Sequence, residues 1–409
     1  MKNLIFTLIL LITAIGCSSQ SSSNEPKGEK VLLISFDGFR YDYLTKTETP
    51  NFDKLVEAGV ISDGLIPIFP SKTFPNHYAI ATGLYPENNG FVGNNMYDPD
   101  MDERFAIRNR DAVENPEWYQ GEPIWNTVEK AGKNAGTMFW VGSEAPIQDL
   151  RPTFWKKYDE SMGDSARIDS VISWMTLNNE NEIDLATLYF HFVDTQGHRF
   201  GPDSDELVEA VKKADELVGY LMQRLEESDL SAITNTMIVS DHGMAAVSRK
   251  RMVVLDDIID PEDLEMIAFS PVIMADVKDD EKIDEIYQAL KVNEEHYKVY
   301  LKDEIPERYH LKNHARIPEL TIVADLGYTI NTQEVFDARP EYPSGGTHGF
   351  DNQEKEMHAL FVAAGPDFKK GFRMKTFENV HLYELMTHLL SIEPAKTDGS
   401  LDSVSVMLN

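Results

Sequence analysis

VLLISFDGF, residues 31–39, is a short unbroken apolar run that closes on an aspartate and a glycine. A run of that length with no polar alternation has the form of a parallel strand buried on both faces. Three further runs share it: LATLYFHFVD (185–194), TMIVSDHG (236–243) and HALFVAAGP (358–366). Helical patterns lie between them. In LVEAVKKADELVGYLMQRLEE (207–227), Leu207, Val211, Leu217, Val218, Leu221 and Leu225 share one face. Buried strands alternating with amphipathic helices predict a layered α/β domain with a central, mostly parallel sheet between helical layers. Three of the four runs carry an aspartate at or near their ends: Asp37, Asp194 and Asp241. Open α/β sheets build their sites at the carboxyl ends of strands, which predicts that these residues meet in one crevice.

Outward from this core, Lys30 to Asn409 reads as a single catalytic domain. Residues 251–345 have weaker periodicity and form a smaller inserted subdomain that includes the strand-like RIPELTIVADLGYTI (316–330). The apolar fraction of 42% is ample for a large core and excludes global disorder. With 38 Lys+Arg against 69 Asp+Glu, the net charge is −31, which argues against binding a nucleic-acid polymer through a basic face. At the start of the chain, MKNLIFTLILLITAIG (1–16) has a basic residue, an apolar run and small residues, the pattern of a secretory signal. Cys17, the single cysteine, follows Gly16 as the acylated cysteine follows a bacterial lipoprotein signal, although Ala14 stands where leucine is usual. Residues 17–29 are Ser-rich and polar and read as a tether. The expectation is an exported, lipid-anchored, monomeric protein of the bacterial cell envelope.

The polar residues near the strand ends form a donor set. Asp194 and His198 are four apart across Thr-Gln-Gly, read as a turn leaving a strand. Asp241 and His242 are adjacent, and His348 lies in Gly-Thr-His-Gly. Carboxylates and imidazoles without a thiolate suit a catalytic zinc site better than a structural one.

Several longer segments carry a specific resemblance: LLISFDGFRYDYL (32–44), FPSKTFPNHYAIATGLYPENNGFVGNNMYDP (69–99), NPEWYQGEPIW (115–125), VDTQGHRFGPDS (193–204), VSDHGM (239–244), GGTHGFDN (345–352) and TFENVHLYELM (376–386). Together the chain resembles the nucleotide pyrophosphatase/phosphodiesterase family of the alkaline phosphatase superfamily, over essentially Lys30 to Leu401. The resemblance implies an alkaline phosphatase-like fold and two Zn²⁺. It implies Thr73 as nucleophile, with Asp37, Thr73, Asp241 and His242 holding one zinc and Asp194, His198 and His348 the other. Asn94 would donate a hydrogen bond to a phosphate oxygen. A threonine hydroxyl is a weak nucleophile unless activated, and two metals about 4 Å apart can stabilise both oxygens of an in-line displacement. The implied reaction passes through a covalent phosphothreonine that water hydrolyses. The structural alternative for Thr73 is a helix N-cap.

Substrate class follows from the pocket. The only cysteine lies in the signal region and Thr73 fills the nucleophile position, against a sulfatase. Monoesterase relatives carry a Lys-x-Arg pair where this chain reads FWVGSEAPIQD (139–149), with Glu144. Diesters are therefore expected. Phe74 and Tyr158 resemble the aromatics that stack on a nucleobase, and Tyr158 lies in a loop (141–164) present in nucleotide-preferring relatives. The expected substrates are nucleotide phosphodiesters and pyrophosphates, releasing nucleoside 5′-monophosphates. The alternatives are a lipid or choline phosphodiesterase on the same metals, a phosphomonoesterase, and, more remotely, a non-catalytic binding lipoprotein.

Overall fold

The computed structural model describes residues 28–409. Residues 1–27, on which the expected signal segment, Cys17 and most of the expected tether fall, lie outside the described residues. Gly28 and Glu29, read as the end of the tether, already belong to the fold: their amides donate to Asp367 Oδ2 and to the Ile233 carbonyl.

The central sheet has eight strands: β1 (Lys30–Phe36), β2 (Gly59–Ser62), β3 (Ala135–Met138), β4 (Phe154–Lys156), β5 (Leu185–Phe190), β6 (Thr234–Val239), β7 (Phe361–Ala364) and β8 (Phe372–Met374). Their spatial order is β8-β2-β7-β6-β1-β5-β3-β4. The apolar runs at 31, 185 and 236 form the parallel centre, with β1 between β5 and β6. Every residue of β1 and β6 is buried, as strands covered on both faces must be. The run at 358–366 is buried as expected but corrects its direction: β7 pairs antiparallel with both β6 and β2. Hydrophobic burial alone cannot distinguish the two directions.

Helices cover both faces. The helix Asp205–Glu227 turns its apolar stripe onto one face, and the Ser204 side chain caps it by accepting from the Leu207 amide. Helices Thr73–Thr82 (α1), Ile124–Lys130 and Leu382–Leu389 pack on the other. Within 251–345, strands 264–268, 272–277, 320–324 and 297–301 make a four-stranded antiparallel sheet. Its alternation divides it between two cores. Val272 and Met274 join the main cluster, while Ile273, Ala275 and Val277 join a second one.

Candidate active site

Asp37 follows β1 directly, and Asp241 and His242 follow β6 by two and three residues. Thr73 opens helix α1 as its first helical residue; Lys72 holds the cap position and Thr73 makes no capping bond, so the N-cap reading is off by one. Asp194 and His198 depart further from expectation. They lie on a helix, α2 (Phe192–Phe200), rather than across a turn. Four residues of helix put both on one face. Gly197, which suggested the turn, is a buried packing glycine: an added Cβ would stand 2.9 Å from Met244 Cε. α2 also packs against residues 345–347, where a Cβ on Gly346 would stand 2.7 Å from the Gly197 carbonyl oxygen, and His198 Nδ1 lies 2.9 Å from the Gly346 carbonyl. Gly38, at φ 68°, lets the chain leave β1 so closely that a Cβ would be 2.8 Å from Asp194 Cα.

The proposed ligands converge. His242 Nε2 lies 3.0 Å from Asp241 Oδ2 and 3.5 Å from Asp37 Oδ1. His198 Nε2 and His348 Nε2 lie 3.4 and 3.8 Å from Asp194 Oδ1. Thr73 Oγ1 is 3.3 Å from His242 Nε2, the imidazole that faces the hydroxyl. Each histidine is oriented the same way. Nδ1 is held by a backbone carbonyl, of Gly346 for His198, Gly243 for His242 and Ser71 for His348, and Nε2 faces the centre.

The carboxylates show why a cation belongs here. Asp37 Oδ1, Asp194 Oδ1 and Asp241 Oδ2 are buried and accept no hydrogen bond among the described residues. Buried anionic oxygens without donors are costly. Burial pushes the Asp37 carboxyl well above its usual range, and the charges of Asp241 and Asp194 push it further. Burial, aided by His242, Lys72 and His198, holds His348 well below the usual imidazole value, hence neutral as a ligand must be. Two donors about 2.1 Å from a tetrahedral zinc sit about 3.4 Å apart, close to the spacings found. Three groups have metal-ligating atoms all within 4.8 Å of one another: Asp194/His198/His348, Asp37/Asp194/His242 and Asp37/His77/Asp241. The residue set therefore fits a metal centre. Asp194 stands between the two expected ligand sets.

His77 was not singled out by sequence reasoning. It is buried, with Nε2 2.8 Å from Ser35 Oγ and Nδ1 3.3 Å from Asp241 Oδ2. Its only signal was a spacing of four from Thr73 on one helix face.

Beside the cluster opens a cavity of about 260 Å³ whose lining includes Asp37, Thr73, Phe74, Tyr158, Tyr189 and Asp194. The two aromatics expected around a base thus share one cavity with Thr73. Phe74 backs onto Phe91 and Phe105 at 6.1 and 5.6 Å, whereas Tyr158 is 36% exposed and meets Phe139 edge-on. Tyr158 is carried by more than a loop, because residues 154–156 add β4 to the sheet edge. Glu144 also lines the cavity but is paired with Arg110, and Arg108 lies beside it; neither arginine was read from the sequence as part of the site. Trp118 is wholly buried beneath Arg316 and does not reach the cavity rim. Asn94 Oδ1 accepts from the Phe74 amide at 2.9 Å, which leaves Nδ2 as the end able to donate. On the far side of Asn94 a second cavity, of about 510 Å³, includes Lys72, Arg108, Phe269 and Arg339 in its lining.

A buried Asp/His cluster at the carboxyl edge of such a sheet, with a threonine at a helix N-terminus, defines a metal-dependent phosphoric ester hydrolase. Residues 31–351 match the family model for type I phosphodiesterase / nucleotide pyrophosphatase, and the chain belongs to that family. It is a phosphoric diester hydrolase. Human ectonucleotide pyrophosphatase/phosphodiesterase family member 5 is 37% identical over 404 residues, covering 99% of this chain and 83% of the relative. A bis(5′-adenosyl)-triphosphatase of Xenopus laevis is 34% identical over 407 residues, covering 98% of this chain and 87% of the relative. Among solved structures, murine ectonucleotide pyrophosphatase/phosphodiesterase 5, in an inactive threonine-to-alanine form in complex with AMP, superposes with a TM-score of 0.89. It is 36% identical, over 93% of this chain and all of that one.

Proposed function

We infer that the protein hydrolyses nucleotide phosphodiester and pyrophosphate bonds with two zinc ions, releasing nucleoside 5′-monophosphates. The observation that carries this reading is the single cavity shared by Thr73, the Asp37 and Asp194 carboxylates and the Phe74 and Tyr158 rings. The AMP complex of the murine relative supports a nucleotide ligand.

Asp37, Thr73, Asp241 and His242 would hold one zinc, and Asp194, His198 and His348 the other. Bound zinc supplies Lewis-acid charge that eases ionisation of a hydroxyl and offsets charge on the phosphate. Thr73 Oγ then attacks phosphorus in line: the Thr–O–P bond forms as the bond to the leaving oxygen breaks. Water cleaves the phosphothreonine, returning the hydroxyl and releasing the nucleoside 5′-monophosphate. Asn94 Nδ2 donates to a non-bridging oxygen, and the N-terminus of α1 favours the same anion. Phe74 and Tyr158 hold the base. Lys72, Arg108 and Arg339 give the second cavity the charge that suits an anionic leaving group, as pyrophosphate cleavage requires.

The test compares a nitrophenyl ester of a nucleoside 5′-monophosphate with nitrophenyl phosphate and nitrophenyl phosphorylcholine. The nucleotide ester is expected to be cleaved fastest; a faster rate on either competitor overturns the substrate assignment. Elemental analysis finding fewer than two zincs per active chain overturns the two-zinc reading. The N-terminal sequence supports an exported, lipid-anchored protein. Cys17→Ser should move the protein out of the membrane fraction, and unchanged fractionation would remove the anchor.

A further inference from the structure

Asp37 is fixed to strand β5 twice. Its amide donates to the Phe190 carbonyl at 2.8 Å, and its Oδ2 accepts from the Tyr189 hydroxyl at 2.6 Å. Oδ1, the other oxygen, accepts nothing among the described residues and faces His242 Nε2. The phenol thus occupies the oxygen turned away from the cluster and leaves free the one turned toward it.

Tyr189 is suited to this task by its place in the sheet. It pairs in register with Ser35 of β1, so the two share a face. Ser35 Oγ is 2.8 Å from His77 Nε2, and His77 Nδ1 lies beside Asp241 Oδ2. The Tyr189 ring meets His77 edge-on, with centroids 5.2 Å apart. This cross-strand pair therefore holds Asp37 directly and His77 through Ser35, and His77 Nδ1, 3.0 Å from the Thr73 carbonyl, lies 3.3 Å from Asp241 Oδ2. Asp241 is anchored in the same manner: Gly38 N and Ser240 Oγ donate to Oδ1, and Oδ2 faces His242.

We propose that Tyr189 is a positioning residue of the metal centre, its hydroxyl holding the plane of Asp37 so that Oδ1 is presented to the ion. The inference rests on the metal reading given above. Physically, the terminal torsion of an aspartate is broad, and a carboxylate without its outer donor can turn its plane away. Removing that donor also leaves Oδ2 buried and unpaired. Outer donors to metal ligands commonly set affinity by 10- to 100-fold.

Tyr189→Phe deletes the hydroxyl and keeps the ring that lines the nucleotide cavity. Zinc affinity, measured by competition with a chromogenic chelator, is expected to fall about 10- to 100-fold. At limiting zinc kcat should fall and recover with excess zinc, while KM for the nucleotide ester stays near wild type. In an Asp37→Ala background the same substitution should cost no further affinity. Equal zinc affinity in wild type and Tyr189→Phe overturns the proposal alone, even where thermal stability is lower. So does an equal loss in the Asp37→Ala background. A wild-type protein that binds no zinc overturns the metal reading itself.

Discussion

The metal cluster and the nucleotide cavity share a wall, yet they are built by different rules. In the cluster five side chains, His198, His242, His348, Asp37 and Asp241, are determined twice: an outer partner holds one atom and the opposite atom faces the centre. The cavity next to it is held loosely. Tyr158 is partly exposed and fixed by ring contacts, with centroids 5.4 Å from Phe139 and 6.2 Å from Tyr189. Chemistry tolerates little displacement of its donors, whereas stacking on a base tolerates sliding. The contrast predicts that cluster substitutions abolish turnover and cavity substitutions tune affinity.

The largest break should come at the nucleophile. Thr73→Ala is expected to lower kcat by at least about a thousandfold with zinc content unchanged, by analogy with the loss of other catalytic nucleophiles. Rates near wild type would remove Thr73 from the role. Dialysis against a chelator should abolish activity and lower the melting temperature, since the cluster then holds unpaired buried carboxylates; zinc should restore both. An unchanged melting temperature would contradict the argument from orphaned oxygens. Next, Asn94→Ala should cost about a hundredfold in kcat with little change in KM, the usual loss for one oxyanion donor.

The cavity should respond more gently. Tyr158→Ala is expected to raise KM for the nucleotide ester by an amount equivalent to about 1–3 kcal/mol of stacking, at nearly constant kcat. A fall in kcat with unchanged KM would show that the two regions are not separable. The smallest effect should come from Arg339→Ala, which ought to raise KM for a dinucleotide polyphosphate and leave the nitrophenyl ester untouched. Steady-state kinetics on both substrates reads it.

Asp37, Asp241 and His242 were legible because unbroken apolar runs mark buried strands, and such strands deliver their next residues to one edge. Asp194 and His198 were read as partners and lie 3.4 Å apart, but on a helix rather than the expected turn, since a glycine between them signals a turn unless its neighbours in space are known. Only the contact of Gly197 with Met244 shows that it serves packing. Tyr189 and Ser35 carried no sign of their parts, and His77 only its spacing from Thr73, because each acts on a residue distant in the chain, Tyr189 on Asp37 across 152 positions. Glu144 was read alone, and its pairing with Arg110 changes the charge it offers the cavity.

The sequence by itself determined the α/β class, the family and the side-chain types gathered at the site, all of which rest on local pattern: apolar period, motif order and the chemistry of side chains. It also set the acidic balance that makes a cation the natural partner of this site. Only the tertiary structure decided the reversed direction of β7, the helix beneath Asp194 and His198, and the outer partners that orient the three histidines, Asp37 and Asp241. Those depend on which backbone passes within hydrogen-bonding distance of which, and such distances arise only when remote segments are packed together.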